Sequence, residues 1–468
     1  MSDDHVKGGR LGRMARLAGV AARTGKDLVA ARVKARFDGD DAHLGRALEP
    51  TAQRMVEVLG EMKGAATKLG QFLSMADQEA FPEEARRVLH RLLDQTPQRM
   101  DAGKAREVVR RELGDAPEAL FADWEDEPFA SASMGQVHRA TLHDGRAVVV
   151  KLQFPGVESA IESDIQNAAM MAKGLAIGGG IFDTREYVDE IAATLRRELD
   201  YAEELVQLLA YRDALAPWAD QLVVPEPVES MCTGRLLVLE RLEGPTLHRF
   251  AELPEGEGAT PEARFRVASQ LVAAIWGPFL RQGLIHADPH PGNYIVLPDG
   301  RLGVLDFGAT RQLSEGFTLA YWDIVGRALR REPTDFVDIL SRIDFGFPKD
   351  RERASHWVDA LAHIVERPIR EPYYDWARDQ IGPDCRRHVQ SEVAVAMGVR
   401  GPPESLMFYR AAVGAAGDFR LLRAAGDFRS VLREVMQRAW SAMEPELRER
   451  MLAAGVPEGA WIRPERAG

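Results

Sequence analysis

The 468-residue sequence is 45% hydrophobic and 28% charged, an ordinary globular balance with enough chain for two or three packed units. Its net charge of −12 argues against a general nucleic-acid binder, which carries a basic excess, so no nucleic-acid partner is expected. The two cysteines, Cys232 and Cys385, are too few and too far apart for a disulfide framework or a cysteine-built zinc site, and fit a reducing interior.

The first stretch departs from the acidic balance. From Lys7 to Arg36 nine Lys or Arg and the single acid Asp27 alternate with Leu, Met, Val and Ala, a composition that suits an anionic membrane surface and equally a solvated basic leader over 1–49. No small-residue cleavage pattern follows a compact apolar run, so no secretory signal is expected. Residues 50–77 read as one helix, because Met55, Val58, Leu59, Met62, Ala66, Leu69, Phe72 and Leu73 recur at three- and four-residue steps and Phe81-Pro82 follows. Helices over Glu83–Asp94 and Asp101–Leu113, the latter stopped by Gly114, complete a helical extension over 50–124.

After Trp124 the pattern changes to short β-rich runs, Val137–Ala140, Ala147–Gln153, Leu222–Val224 and Leu236–Leu239, with Asp144-Gly145 as a hairpin turn. They predict a small antiparallel sheet in an N-lobe over 125–243, interrupted by one long helix over Glu186–Ala214. Beyond Gly244 the chain reads as helical except at Ile295-Val296 and Val304-Leu305, giving a C-lobe over 244–400 and a helical tail over 401–468. The fourteen uncharged positions between Arg266 and Arg281 fall short of the roughly 18 that a spanning helix needs, so no transmembrane helix is predicted. The tail echoes Ala415-Ala416-Gly417-Asp418-Phe419-Arg420 at Ala424–Arg429; two copies do not make a repeat array, and the tail reads as helix-loop packing without chemical motifs. This order is that of an α+β, two-lobe protein-kinase-like fold with an N-terminal helical extension and a helical C-terminal tail.

The chemistry is concentrated in His286-Ala287-Asp288-Pro289-His290-Pro291-Gly292-Asn293 and in Asp306-Phe307-Gly308. Asn293 lies five residues after Asp288, the offset of the kinase catalytic loop, and Asp-Phe-Gly follows in the kinase order. Asp288 is then the catalytic group that orients or deprotonates the attacking hydroxyl or water, while Asn293 and Asp306 offer hard oxygen ligands suited to Mg²⁺ with ATP or ADP. His286, Asp288 and His290 also alternate as transition-metal ligands would, but no third soft ligand cluster accompanies them. Lys151 ends Val148-Val149-Val150-Lys151, a strand-borne lysine placed to meet nucleotide phosphates. Upstream, Ala130-Ser131-Ala132-Ser133-Met134-Gly135-Gln136-Val137 aligns with G-x-G-x-x-G-x-V, with alanine at the first two glycine positions. Alanine restricts positive φ and close approach to phosphate, so the loop is expected to be stiffened and transfer to protein substrates reduced.

These residues resemble the UbiB/AarF family of atypical kinase-like ATPases through four separated motifs spread over about residues 60–310: Lys68-Leu69-Gly70-Gln71, the alanine-rich loop, Glu198-Leu199-Asp200 with Glu204, and the His286–Asn293 loop with Asp306. The resemblance implies that the Lys68 helix covers the place where a protein substrate would lie, with Lys68 and Gln71 on one helix face. It also implies that Lys68 meets Glu198 and Asp200, and that Glu204 pairs with Lys151. On a regular helix Asp200 and Glu204 share a face while Glu198 points away, so either the helix is irregular or starts nearby, or Lys68 and Lys151 take different acids. Ala287 departs from the family's usual glycine, and a negative φ there would leave the role of Asp288 intact.

The resemblance further implies ATPase or phosphotransferase activity with restricted protein access, in isoprenoid-quinone biosynthesis or lipid homeostasis, with a membrane lipid, a quinone precursor or a biosynthetic protein complex as partner. The expected location is cytoplasmic, with peripheral attachment at the inner face of the membrane through the basic stretch. Two other readings remain at this point: a small-molecule phosphotransferase of the aminoglycoside- or choline-kinase type, whose catalytic loop is similar, and a nucleotide-binding scaffold without turnover.

Overall fold

The structure is a computed structural model, and it describes residues 99–459 except 133, 160, 163, 164, 166–195, 198, 255, 257, 457 and 458. The basic stretch and the helices expected over 50–77 and 83–94 lie outside the described residues. In chain order the elements begin with helix α1 (Ala102–Leu113), strands β1 (Asp123–Trp124), β2 (Ala130–Ala132), β3 (Gly135–Thr141) and β4 (Ala147–Gln153), and helix α2 (Tyr201–Ala214). Strands β5 (Leu222–Val223) and β6 (Leu236–Glu240) follow, then helices α3 (Leu247–Glu252) and α4 (Pro261–Gln282). Strands β7 (Leu284–His286), β8 (Tyr294–Val296), β9 (Leu302–Val304) and β10 (Thr310–Gln312) precede helices α5 (Glu315–Arg330), α6 (Phe336–Ser341) and α7 (Arg351–Val365). Helices α8 (Ile381–Ser391), α9 (Pro403–Leu422), α10 (Phe428–Ser441) and α11 (Pro445–Ala453) end the described chain. They fall into two compact units: the residues up to Ala202 with Pro227–Glu240, and Glu203–Glu226 with those from Arg241 onward.

The first unit is an antiparallel sheet in the order β1-β3-β4-β6, with β2 paired to β3. Apolar side chains of β4 and β6, among them Val148, Val150, Leu152, Leu236 and Val238, close a core with Ala105, Val108 and Val109 of α1. The sequence sets both ends of α1: the Asp101 carboxylate accepts from Lys104 N at 2.9 Å, and Gly114 takes φ 90° to stop the helix. The register places Lys151 opposite Val137 on one side and Leu237 on the other.

The long helix expected over Glu186–Ala214 is broken in its described part. Leu199 N and Asp200 N close a tight turn on Arg196 O and Arg197 O, at 3.2 and 3.0 Å. Tyr201 N donates to Gly234 O at 3.0 Å and the Asp200 carboxylate accepts from Ala202 N at 3.0 Å, so α2 starts at Tyr201 with Asp200 just before it. Asp200 is therefore not on the same helix as Glu204.

The second unit is mainly helical around α4, which packs against α9 and α10. Thr260 caps α4 by accepting from Ala263 N at 3.2 Å, and Gly283 ends it at φ 76°. Helix α4 buries most of its length, yet no helix among the described residues is long and apolar enough to cross a membrane. The expectation that the Leu222 run joins the small antiparallel sheet is overturned: β5 pairs parallel with β9, which pairs antiparallel with β8. Two residues are too few to impose a partner, and Gln270 fixes this one, its side-chain amide donating to Gln221 O at 3.3 Å and Gly300 O at 2.9 Å. The two copies of the tail echo adopt different structures, because Asp418 lies inside α9 whereas Asp427 caps α10 by accepting from Ser430 N at 3.0 Å.

Gly135, the glycine retained in the alanine-rich loop, has a steric reason to be there. A β-carbon at this position would lie 1.9 Å from Leu152 O, whereas Ala130 and Ala132 sit in the extended strand β2. Gly135→Ala should therefore lower the stability of the full chain by about 2–3 kcal/mol, the cost of a severe core clash. Thermal unfolding measures it, and an unchanged Tm would show that the β2–β3 hairpin is not packed as described.

Candidate functional site

Strand β7 leads into the Asp288 loop, and the loop is held by its own backbone and by the Asp306 segment. His290 N donates to Asp288 O at 2.7 Å and Asn293 N donates to His290 O at 2.8 Å, which folds Asp288–Asn293 into a compact turn. The Asn293 side-chain amide also donates to Asp288 O, at 2.9 Å; since a carbonyl can only accept, this bond fixes which end of the amide faces Asp288 O. Leu305 N donates to Asn293 O at 2.8 Å and ties the loop to the residue before Asp306.

His286 is the strut between the two segments. Its Nε2 donates to Asp306 O at 2.7 Å and lies 3.2 Å from Leu305 O, while Nδ1 accepts from Asp288 N at 3.4 Å. That pattern is the neutral tautomer, and burial agrees with it: enclosure holds the imidazole below its usual range, against the opposing pull of the nearby Asp288 and Asp306 charges. Tyr211 and Phe307 present ring edges to it at centroid distances of 5.7 and 5.8 Å. His290 accepts from Gly292 N through Nδ1 at 3.0 Å. Both rings thus serve the backbone, and the alternating-ligand reading of His286 and His290 has no support in the geometry.

Asp306 occupies φ 57°, a left-handed conformation that a non-glycine residue adopts at a cost, and its carboxylate accepts from Gly308 N at 3.4 Å. Asp306 is half-buried, and with Asn293 it contributes oxygen donors, the chemistry Mg²⁺ takes when it keeps water and phosphate oxygens as its other ligands. The residues present therefore fit a magnesium-nucleotide site.

Asp288 is enclosed. Its Oδ1 receives Nη2 of Arg410 at 2.7 Å, and the two side chains are only 5% and 3% exposed. Arg410 comes from α9, in the tail that reads in sequence as free of chemical motifs; that expectation is corrected. Asp418, on the same helix, is 2% exposed. Burial, and after it the charge of Asp288, pushes the Asp418 carboxyl well above the usual carboxylate range.

The family model of the ABC1 atypical kinase-like domain matches residues 91–339, more than half of the chain. The chain belongs to the ABC1 atypical kinase-like family. This confirms the resemblance drawn from the four motifs and the kinase-like fold. The rat atypical kinase COQ8B, mitochondrial, is 28% identical over 94% of this chain and 83% of its own. The Caenorhabditis elegans atypical kinase coq-8, mitochondrial, is 29% identical over 76% of this chain, which spans about half of that relative, 47%. A solved Mycobacterium tuberculosis protein, Rv3197 in complex with erythromycin, superposes with a TM-score of 0.60 at 26% identity, over 85% of this chain and 98% of the other.

In this ABC1-family chain the other residues singled out by sequence are placed as follows. Lys68, Gln71, Ser133 and Glu198 lie outside the described residues. Ala130, Ser131 and Ala132 form β2; Gly135, Gln136 and Val137 open β3. Met134 is turned inward against Ile161 and Ile165. Gln136 also points inward, its Oε1 accepting from Met100 N at 2.8 Å and its Nε2 donating to His138 Nε2 at 2.8 Å, so only its backbone can face a ligand. Nζ of Lys151 lies 4.8 Å from the centre of the Tyr201 ring, a cation held over an aromatic face. Asp200 borders α2 and Glu204 is buried within it. Sequence reasoning missed Arg410 and Asp418, although Arg410, Gly414 and Asp418 at four-residue steps are the trace of a helix face that contacts something polar.

The depressed pKa of His286 gives a pH dependence. Below the unfolded pKa of about 6.5 the unfolded chain takes up a proton that the folded ring resists, so stability is present above about pH 6.5 and is lost as pH falls toward the folded value. His138 has the same sign, again because burial disfavours its charged form. The Tm of the parent should therefore fall as the pH drops below about 6.5, and His286→Gln should flatten part of that fall. An identical slope in the variant would mean that His286 is not buried as a neutral ring.

Proposed function

We propose that the chain is an atypical kinase-fold ATPase or phosphotransferase that uses Mg²⁺ and ATP, with restricted access for protein substrates. The observation that supports this reading is the bonding of the Asn293 amide to Asp288 O, with Leu305 N donating to Asn293 O, because it ties the Asp288 loop to the residue before Asp306. Asn293 and Asp306 would hold the metal, which when bound would shield charge on the transferred phosphate. Asp288 orients the attacking hydroxyl or water, Lys151 meets nucleotide phosphates, and Glu204 is counted with Lys151 among the nucleotide-binding residues, as the family resemblance implies. The backbone of Ala130–Val137 covers the phosphates, and alanine at 130 and 132 stiffens it. Lys68, Gln71, Glu198 and Asp200 are assigned to the substrate side. The names of the rat and worm relatives support the kinase class, and a place in isoprenoid-quinone or lipid metabolism at a membrane surface, reached through the basic stretch, is the biological setting we infer.

A second reading has one observation in its favour. Rv3197, the solved relative in fold, is in complex with erythromycin, which suits a small-molecule phosphotransferase as well as a binding protein. Phosphate release from ATP by the full chain, with and without a macrolide and with and without quinone-like phenols in liposomes, separates the two. Product bearing phosphate on the macrolide would favour the second reading over the first.

Asp306→Asn should lower Mg²⁺-dependent phosphate release by about 10²-fold or more, as expected when a charged group at the reacting centre is lost. Turnover equal to the parent would remove Asp306 from the metal site. Ala130→Gly or Ala132→Gly should raise incorporation of labelled phosphate from ATP into the chain itself, since glycine restores the mobility that alanine restricts. Parent-like labelling of both variants would refute the stiffened loop as a brake.

A further inference from the structure

We propose that Arg410 is a positioning residue for the reaction at Asp288, and that the tail helix α9 is thereby part of the active site through its face Arg410, Gly414 and Asp418. The inference rests on the reading of Asp288 given under the proposed function.

Helix α9 is buried on two faces. Phe408, Ala411, Ala415, Phe419 and Leu422, at three- and four-residue steps, are buried in the core of the unit. Phe408 anchors the helix, with its ring 4.1 Å from that of Tyr321, 5.2 Å from that of Phe279 and 5.3 Å from that of Phe317. The second face turns to the Asp288 loop. At Gly414 a β-carbon would lie 2.4 Å from Pro289 Cγ and 3.3 Å from Pro289 O, so only glycine lets the helix lie this close to the loop. One turn earlier, that approach brings the Arg410 guanidinium to 2.7 Å from the Asp288 carboxylate.

A pair this enclosed is poor evidence of a stability device, because well-packed apolar residues commonly replace buried ion pairs without loss. Its consequence for Asp288 is specific. One carboxylate oxygen is held by a group that is always charged, so the rotamer of Asp288 is set before any substrate arrives. A carboxylate held in this way suits the alignment of a hydroxyl or water.

The test uses the full chain with Arg410→Met, which keeps the length and removes the charge, and Arg410→Lys, which keeps the charge without the planar fork. We expect Arg410→Met to lower kcat for ATP by about ten- to a hundredfold, as misplacement of a reacting group does, with KM for Mg-ATP changed less than about twofold. Arg410→Lys should recover part of the lost kcat. A folded Arg410→Met protein with parent kcat would overturn the proposal. Thermal unfolding of Arg410→Met, Asp288→Asn and the double variant provides a reading independent of turnover. The Tm loss caused by Arg410→Met should be largely absent in the Asp288→Asn background, and equal losses in both backgrounds would overturn the pairing itself. Coupling in unfolding together with a parent that never turns over ATP would leave the clamp in place and sink the proposed function instead.

Discussion

The arrangement around the candidate site depends on one buried ion pair, Asp288 with Arg410, because it joins the loop after β7 to a helix 122 residues further along the chain. Two full charges enclosed this completely are tolerable only together; removing one partner of such a pair typically costs about 3–5 kcal/mol. The pair therefore places strict demands on its surroundings. Gly414 must remain without a side chain so that α9 can reach Pro289, and the aromatic cluster of Phe279, Phe317, Tyr321 and Phe408 must hold that helix in place.

The remaining groups near Asp288 are arranged so as not to disturb that charge balance. His286 is neutral and spends both ring nitrogens on backbone partners, coupling the loop to Asp306 without adding a second cation. Burial, and after it the charge of Asp288, pushes the Asp418 carboxyl well above the usual carboxylate range. The two motif carboxylates then differ in setting: Asp288 is enclosed with its arginine, while Asp306 is half-buried and follows a residue tied to Asn293, which also offers an oxygen. That division, one carboxylate clamped by a cation and one partly open to solvent, suits the first to orient a reacting group and the second to take a metal.

How much of this the sequence revealed follows from the range of each interaction. The Asp288–Asn293 loop and Asp306 stood out as candidates because their chemistry requires a fixed local spacing. Helix α1 was legible because Asp101 and Gly114 mark its ends with local backbone chemistry. Strand β5 was placed in the wrong sheet, since two residues carry no alternation and its partner is chosen by the distant Gln270. The start of α2 escaped because it depends on Gly234, which comes from beyond the helix. Arg410 escaped for the same physical reason on a larger scale: a buried arginine on a helix looks like any surface arginine until the residue it meets is known.

Binding of a magnesium nucleotide at this site is the claim on which the rest stands, and ligand-induced stabilisation tests it without any knowledge of the acceptor. A ligand at about 100 times its Kd stabilises a folded protein by about 2.7 kcal/mol. Saturating ATP or ADP with Mg²⁺ should therefore raise the Tm of the full chain by several degrees, and the same nucleotide with a chelator should not. A well-folded chain whose Tm is unmoved by either nucleotide with Mg²⁺ would contradict this assignment.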